Sequence, residues 1–328
     1  MSVWFGQIIN ANNEVEAIRF DGSEYFKGSQ PLTAWDIIVE SIESRKDLAS
    51  QLIQLLNQSV AETDLCWSVP ITHPEAHRCW VTGTGLTHLG SAATRDSMHQ
   101  ALSEEEDSLS DSMKMFRFGL EGGKPSEGKV GAQPEWFYKG NGLSIVEPGG
   151  NLNLEPGAMD GGDESELAGI YVIRSDGQPV RIGFALGNEF SDHVMEKINY
   201  LYLAHSKLRV SSFGPLVRIG EAPASVRGTA KIERNGAVIW ERPFTSGNDE
   251  MCHTISNLEH HHFKYALFRN PGDLHVHYMG TSLLSFTDGI RTQTGDSIVI
   301  EAEGFGPALR NTVCYSEGDE QVIKIIGA

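Results

Sequence analysis

The chain has 328 residues, of which 40% are hydrophobic, and this length favours two domains or one large β-rich domain with an appendage. Its formal net charge of −18 argues against nucleic acid and anionic membrane surfaces as partners. No stretch approaches the roughly 18 consecutive apolar residues of a membrane-spanning helix, and the N-terminus lacks the pattern of a secretory signal. The cysteines show no metal or redox spacing, which indicates reduced thiols and a cytoplasmic protein. They are Cys66, Cys79, Cys252 and Cys314.

The N-terminal part mixes strand and helix patterns. Residues 6–20 alternate loosely and break at Asn10–Asn13, which predicts a hairpin. Residues 32–58 place apolar side chains at helical spacing, which predicts one or two helices. We therefore expect a small N-terminal α/β domain over residues 1–80.

A strand, a helix and a loop are predicted next. The stretch "RCWVTGTGLTHLG" reads as a strand that runs into a Gly-rich turn. Residues 91–119 are predicted to be helical, with a solvated acidic run at 104–107. Residues 120–136 are rich in Gly, Pro, Ser and Lys, which indicates an active-site flap or a linker. They lack the residue order of a phosphate-binding loop.

From Trp136 onward, short β-type runs alternate with Gly, Asp, Pro and Asn turns. Turn signals recur every ~8–12 residues, as in β-sandwiches and barrels. We expect an α+β fold that is mostly β, with a larger domain over residues 81–328. Residues 192–208 are the exception, because their apolar spacing predicts a helix.

One predicted hairpin brings acidic residues together. Asp176–Gly177 is a strong two-residue hairpin signal, because both positions tolerate positive φ. With these two residues as the loop, paired residue numbers sum to 353, so Glu164 faces Glu189. Glu166 shares their face because side chains alternate along a strand, although a bulge at Gly187 would shift the register by one. Three carboxylates are therefore expected to converge.

Three neighbouring carboxylates repel one another unless a positive charge lies between them. A hard divalent cation with oxygen ligands meets that need best, and Mg²⁺, Mn²⁺ and Ca²⁺ are the candidates. An alternative stays open, because E-x-E is a common pattern. In that alternative Glu164 and Glu166 are exposed loop residues and Glu189 ends a solvated strand.

Several segments between Trp80 and Val313 occur in the order found in a known family. The chain thus resembles the fumarylacetoacetate hydrolase superfamily, in which an E-x-E strand and a later acidic segment hold one divalent metal. The segments that carry the resemblance are "GTGLTHLGSA", "PEWFYKGNG", "ESELAGIYV", "GFALGNEFSDH", "SKLRVSSFGPLV", "GDLHVHYMGTS" and "TGDSIVIEAEGFGPALRNTV".

The resemblance implies the family's mixed β-sandwich roll, a homodimer and a set of site residues. Lys207 matches the lysine of the family's K-S-F-D segment, and Lys139 matches that of F-x-K-P. Thr281 matches the threonine of T-G-T-P, which contacts the bound acid in the family. The implied ligands of Mg²⁺, with Mn²⁺ as the other candidate, are Glu164, Glu166 and Glu189, the last of which replaces the family's usual Asp.

The chain also departs from the family pattern. Family hydrolases activate water with a His-x-x-Glu pair, and Ser91 and Thr94 stand at those positions here. The family's Arg and Gln after the third metal ligand are His193 and Glu196. Loss of a general base typically costs about 10²–10⁴-fold in rate. Hydrolysis of a C–C bond is therefore not expected.

Dehydration of a 2-oxo acid is the reaction that remains. The cation would chelate the carboxylate and keto oxygens and stabilise an enolate, whose collapse expels a hydroxyl from C4. Similarity to the sugar-acid branch of the family, through "GNEFSDH", "YLYLAHSKLR" and "NLEHHHFKY", implies a 2-keto-3-deoxy-pentonate (arabinonate or xylonate) dehydratase. Its product would be 2-oxoglutarate semialdehyde, which is 2,5-dioxopentanoate, formed in pentose catabolism.

The resemblance gives each site residue a predicted role. Lys207 is the proton shuttle at C3 or the charge partner of the enolate. His193 or Glu196 assists departure of the C4 hydroxyl, while Lys139 and Thr281 orient the substrate carboxylate. Each role has a structural alternative: a salt bridge for Lys207, helix packing for His193, a surface charge for Glu196, a solvated turn for Lys139 and a turn contact for Thr281.

Two other functions remain open from the sequence. One is a hydrolase of a 2,4-diketo acid that activates water with a different residue, and the other is a non-catalytic sugar-acid binding protein. The run His260–His262 suggests a metal site, but consecutive helical residues point in different directions. We therefore predict a structural role for these histidines.

Overall fold

The N-terminal pattern folds as the sequence predicts. The structure, a computed structural model, describes residues 2–90 and 109–328. Residues 6–20 lie in an antiparallel hairpin, and residues 32–58 contain two helices, α1 (Ala34–Glu43) and α2 (Leu48–Leu55). The Thr33 side chain caps α1 by accepting a hydrogen bond from the Asp36 N–H, which satisfies one of the free donors at the helix start.

Four further helices are described: α3 (Asp111–Gly122), α4 (His193–Ile198), α5 (Leu203–Ser206) and α6 (Ile255–Phe263). The single helix predicted over 192–208 is wrong, because the chain breaks between α4 and α5. Asn199 at the break has extended backbone angles, φ −162° and ψ 132°, and its side chain accepts from the Leu201 N–H. The predicted acidic run at 104–107 and most of the helix predicted from residue 91 lie outside the described residues.

The strands form two sheets. The larger has the order β4-β3-β2-β1-β12-β10-β9-β15-β5-β6, with β11 and β7 attached beside β10, and the smaller has the order β14-β13-β16-β17-β8. The strands are β1 (Trp4–Ile9), β2 (Val15–Phe20), β3 (Tyr25–Lys27), β4 (Gln58–Val60), β5 (Cys79–Gly83), β6 (Phe137–Asn141), β7 (Ile145–Val146), β8 (Asn151–Leu154), β9 (Ser165–Ile173), β10 (Pro179–Asn188), β11 (Ser211–Phe213), β12 (Val217–Ile219), β13 (Val226–Arg234), β14 (Ala237–Ser246), β15 (Leu274–Tyr278), β16 (Ser297–Ala302) and β17 (Leu309–Tyr315).

Strand β9 is buried along its whole length because both of its faces are covered. Ala168, Ile170 and Val172 pack in one core cluster with residues of α1 and α2. Leu167 and Tyr171 point the other way and pack in a second cluster with residues of the smaller sheet. The larger sheet thus forms the middle layer, and its strands come from both sides of residue 80. The domain boundary at that residue stays a prediction.

The β9–β10 hairpin reaches the predicted register by a different route. Near the turn, paired residue numbers sum to 352, as for Val180 with Val172, so the loop is one residue longer than predicted. A bulge between Arg181 and Gly183 then restores the predicted sum of 353, as for Asn188 with Ser165. The bulge is not at Gly187. Its effect is that Glu189 N–H donates to the Glu164 carbonyl at 3.0 Å, as the predicted pairing requires.

A group of histidines lies in the interior beside β15. His275 and His277 share one face of that strand, and His262 of α6 contacts both. His262 Nε2 lies 3.0 Å from His275 Nδ1, and the Thr82 hydroxyl lies 2.8 Å from His277 Nδ1. Among the described residues, one group of three side chains lies close enough to share a metal ion, and its members are glutamates. These histidines therefore do not form a set of metal ligands.

Burial keeps these histidines neutral. It lowers the pKa of His262 to about 3 and that of His277 well below its ordinary value, with the neighbouring imidazoles acting in the same direction on His277. In the unfolded chain a histidine binds a proton below a pKa of about 6.5. Acidification therefore favours the unfolded state.

We expect the free energy of unfolding to fall as the pH drops through about 6.5, with His277 alone costing about 1.4 kcal/mol between pH 7.5 and 5.5. Urea unfolding of the wild type and His277→Val at both pH values measures this. The loss should be smaller in the variant by that amount. His77→Val removes a histidine whose side chain is 71% exposed and should keep the wild-type pH dependence. Equal losses in wild type and His277→Val would contradict the prediction.

Candidate metal centre

Three glutamates meet at the open end of the β9–β10 hairpin. Glu164 precedes β9, Glu166 lies within it and Glu189 follows β10. One carboxylate oxygen of each lies within 4.8 Å of the others, and all three residues are buried. The alternative in which they are exposed loop or strand-end residues is thereby wrong.

Each carboxylate is held by protein donors. Glu164 Oε1 accepts from Lys207 Nζ at 2.5 Å and lies 3.1 Å from His193 Nε2. Glu166 Oε2 accepts from the Gly280 N–H at 2.7 Å. Glu189 Oε1 accepts from the Ser191 hydroxyl at 3.1 Å. These contacts fix the direction of each carboxylate.

Two lysines provide positive charge. Lys207 follows α5, and its ammonium bridges Glu164 to Glu189 Oε2, the latter at 3.2 Å. Lys139 of β6 places its ammonium 3.2 Å from Glu189 Oε1 and donates to the carbonyls of Phe190 and Lys207 at 2.5 and 3.1 Å. The Lys139 side chain is 0% exposed and its donors face protein acceptors. These contacts support a structural role, while its predicted contact with the substrate carboxylate stays a prediction.

The carboxylates have divergent pKa values. Burial raises the pKa of Glu166 well above its ordinary value, and repulsion from Glu189 and Glu164 adds to that rise. Burial acts in the same direction on Glu164, but the Lys207 ammonium and His193 outweigh it and hold that pKa below its ordinary value. For Lys207, attraction to Glu164 and Glu189 outweighs burial, so its pKa lies well above its ordinary value and the ammonium stays charged.

The arrangement fits a divalent cation. Glu166 Oε1 is buried with no hydrogen-bond partner among the described residues. A buried charge without a partner costs several kcal/mol of folding free energy. We therefore expect a proton or a cation at Glu166 Oε1. The three carboxylates supply the oxygen-only donor set that hard cations such as Mg²⁺ prefer. The donors that hold each carboxylate from behind are the outer-shell contacts that such sites use.

Comparisons with known proteins can now be set beside this geometry. No protein-family model matches the chain. A probable 2-keto-3-deoxyxylonate dehydratase of Haloferax volcanii is 30% identical over 186 residues, which span 55% of this chain and 60% of that relative.

Solved structures match the chain over nearly its whole length. A 2-keto-3-deoxy-D-arabinonate dehydratase complexed with magnesium and 2,5-dioxopentanoate has a TM-score of 0.68 and 17% identity, covering 96% of this chain and 100% of that one. A 5-carboxymethyl-2-hydroxymuconate delta-isomerase from Mycobacterium smegmatis has a TM-score of 0.58 and 17% identity, covering 97% and 100%. The chain therefore has the fold of these dehydratase and isomerase structures. The predicted α+β, mostly β fold class is confirmed.

The remaining predicted site residues have different surroundings. Glu196 of α4 is partly buried, and burial raises its pKa while Lys207 opposes the rise. The Thr281 hydroxyl lies 3.0 Å from the Ser165 carbonyl and 2.8 Å from the Leu283 carbonyl, so backbone acceptors surround it. Ser91 and Thr94, at the positions of the family's water-activating pair, lie outside the described residues.

Glu135 is a site residue that the sequence analysis missed. It stands two residues before β6, and its Oε2 accepts from the Tyr200 hydroxyl at 2.8 Å. Burial raises the pKa of Glu135 to about 7, against the opposing effects of Tyr200 and Lys207. Its position inside the segment "PEWFYKGNG", which resembles a family motif, was the available signal.

Proposed function

We propose that the protein is a metal-dependent hydro-lyase that converts a 2-keto-3-deoxy-pentonate to 2,5-dioxopentanoate. The observation that carries the proposal is the meeting of three buried glutamates beside a charged lysine. The curated relative is named as a probable dehydratase of such a sugar acid. A neighbour of the same fold holds magnesium and 2,5-dioxopentanoate. Both names support the substrate class proposed here.

The reaction removes one water molecule. The substrate loses a proton from C3 and the hydroxyl from C4, which leaves a C3=C4 alkene. A proton shift from C5 to C3 then gives the C4=C5 enol, and transfer of the enol hydroxyl proton to C4 gives the C5 aldehyde. Glu164, Glu166 and Glu189 would hold Mg²⁺, with Mn²⁺ as the other candidate. A cation bound there supplies Lewis acidity toward the 2-keto group, which acidifies the C3–H bond.

The lysines and α4 provide the remaining groups. Lys207 keeps its proton, so we assign it as the charge partner of the developing enolate rather than as the base. Glu196, whose pKa burial raises, would protonate the departing C4 hydroxyl. Lys139 and Thr281 remain the proposed contacts of the substrate carboxylate. Both ring nitrogens of His193 face carboxylates of the protein, which favours a positioning role over direct acid catalysis.

Glu135 is the proposed base at C3. A carboxylate with a pKa near the working pH combines a useful ionised fraction with basicity. The Tyr200 hydroxyl fixes its orientation. Lys207 lowers and Glu164 raises the pKa of Glu135, which supports a position near the same carboxylate cluster.

The function is tested by incubating the enzyme with a panel of 2-keto-3-deoxy acids, with and without EDTA, and measuring product mass. We expect loss of 18 mass units, full dependence on added Mg²⁺ or Mn²⁺, and an aldehyde that an NAD(P)-linked dehydrogenase oxidises. Glu189→Gln should lose metal binding and turnover together, because it removes one of three charged ligands. Glu317→Gln, in an exposed segment, is the matched control.

Other products would contradict the proposal in identifiable ways. Pyruvate with a second acid would indicate a hydrolase. Ligand binding without turnover on any acid of the panel, unaffected by Glu189→Gln, would indicate a binding protein.

Glu135→Gln should lower kcat by about 10²–10⁴-fold while changing KM little, because it removes the base but keeps the shape of the side chain. In the wild type kcat/KM should rise with pH through about 7 as Glu135 ionises, and the variant should lose that limb. Steady-state kinetics from pH 5.5 to 8.5 measure both effects. Glu127→Gln, in an exposed loop, should behave as wild type. A variant that retains the limb near pH 7 would exclude Glu135 as the base.

We infer that the protein is a homodimer that works in the cytoplasm. Aliphatic side chains between residues 322 and 326 are almost fully exposed, at 89% for Val322 and 92% for Ile326. Exposed apolar segments of this kind mark interaction sites. The same chain exposes Leu201 at 81% and Ile198 at 58% beside the site, so a second copy offers a matching apolar surface. The four free cysteines fit a reducing compartment.

Light scattering after size exclusion should give the mass of a dimer for the wild type and a shift toward monomer when four aliphatic side chains are replaced together. The four substitutions are Val322→Ser, Ile323→Ser, Ile325→Ser and Ile326→Ser. Gln321→Ser with Lys324→Ser changes the same segment without removing apolar surface and should remain dimeric. A monomeric wild type, or a dimer that survives the fourfold substitution, would refute this interface.

No helix among residues 2–90 and 109–328 combines the length and apolarity needed to cross a membrane.

A further inference from the structure

His193 links a metal-binding carboxylate to a second buried acid. Its Nε2 lies 3.1 Å from Glu164 Oε1, and its Nδ1 lies 3.7 Å from Asp160 Oδ2. The side chains of His193 and Asp160 are 4% and 3% exposed. The imidazole therefore stands between two carboxylates in a region closed to solvent.

The Oδ2 atom of Asp160 has no other partner among the described residues. Asp160 Oδ2 and His193 Nδ1 are both buried without a hydrogen bond, although each is the nearest ionic partner that the structure describes for the other. The neighbouring acids have different partners. The Asp163 carboxylate accepts from Ser285 through one oxygen, while its Oδ2 is buried without a hydrogen bond. The Asp192 carboxylate accepts from the Met195 N–H of α4 and from the Met159 N–H. Of these three acids, Asp160 is the one with an oxygen within ion-pairing distance of a His193 ring nitrogen, at 3.7 Å.

The backbone around Gly162 allows the Asp160 segment to lie close to the His193 imidazole. Gly162 and Ser191 form a β-bridge, with hydrogen bonds of 2.9 and 3.1 Å in both directions, which places the Asp160 segment against the start of α4. A Cβ atom at Gly162 would lie 2.2 Å from His193 Nδ1, so a side chain at this position would displace the imidazole. Asp192 caps α4 and fixes the direction in which His193 leaves the helix.

The other two proposed ligands are oriented differently. Glu166 is held by a backbone N–H, and Glu189 by Ser191 and Lys139. Of the three proposed ligands, Glu164 is the one that contacts an imidazole, in addition to Lys207. An imidazole offers its Nε2–H to one carboxylate in a fixed direction only when the other nitrogen is also held.

We propose that Asp160 is a positioning residue that acts through His193 to orient Glu164 toward the divalent cation. This inference rests on the metal centre of the proposed function. Asp160 touches neither the substrate nor the cation. Its contribution is to hold Nδ1, so that Nε2 stays directed at Glu164 Oε1.

The test measures Mn²⁺ affinity by electron paramagnetic resonance, in the absence of substrate. Asp160→Asn should weaken Mn²⁺ binding about 10-fold or more, the range typical of lost outer-shell partners, and so should His193→Phe. The double variant should bind no more weakly than His193→Phe alone, because Asp160 acts only through the imidazole. Asp160→Glu should recover part of the affinity. Asp64→Asn removes an exposed acid of the N-terminal region and should bind as wild type.

Thermal unfolding in EDTA separates orientation from folding. The expected result is a melting temperature for Asp160→Asn close to that of the wild type. If His193→Phe does not fold, His193→Gln takes its place in the comparison. Unchanged Mn²⁺ affinity in Asp160→Asn, or additive losses in the double variant, would overturn the inference while leaving the metal centre standing. A wild type that binds no Mn²⁺ would overturn both.

Discussion

The burial of three carboxylates in one place is the constraint on which the rest of the site depends. Charges taken out of water repel more strongly and lose their hydration, so such a cluster persists only with compensating charge. Lys207 and Lys139 offset two of the three negative charges. Glu166 Oε1 has no hydrogen-bond partner among the described residues, so the protein leaves the third negative charge without compensation. A divalent cation would complete the balance and, in the proposed function, would supply the Lewis acidity that chemistry on a keto acid requires.

The fold supplies the rigidity that such a cluster needs. Strand β9 is covered on one face by the cluster that includes α1 and α2 and on the other by the smaller sheet, so the two glutamates at its start cannot swing away. The bulge between Arg181 and Gly183 sets the register of the hairpin, so that Glu189, the residue that follows β10, lies opposite Glu164. Packing far from the site thus determines ligand geometry at it.

The groups around the carboxylates divide into those that hold a carboxylate in place and one, Glu135, to which the proposed function gives a role toward the substrate. Lys139 is enclosed by acceptors of the protein and holds Glu189. His193 stands between Asp160 and Glu164 in the same way. Glu135 differs, because it is held by a tyrosine hydroxyl and has a pKa near 7, which suits a group that exchanges protons. The proposed site therefore combines three fixed carboxylates as metal ligands with one further carboxylate, Glu135, whose pKa suits proton transfer.

The sequence by itself determined the elements whose signals are local. The Asp176–Gly177 signal located the turn, and the alternation of the flanking strands placed the glutamates on one face. The predicted pairing of Glu164 with Glu189 holds because the extra loop residue and the bulge in β10 offset each other. Ordered motifs were enough to predict the fold class. The carboxylate cluster follows from the same hairpin, so its members could be named without a structure.

Only the tertiary structure decided which other residues complete the site. Asp160 and Tyr200 carry no sequence pattern of their own, and Glu135 lies in a family-like segment that does not single it out. The partners of all three lie elsewhere in the chain and meet them only when the elements pack. The break at Asn199 and the compensating bulge in β10 could not be predicted from the sequence either. Apolar spacing indicates which face of an element is buried, but it does not indicate where the backbone bends. Burial decided the charge states as well, since the pKa of a carboxyl depends on the water and charges around it rather than on its neighbours in sequence.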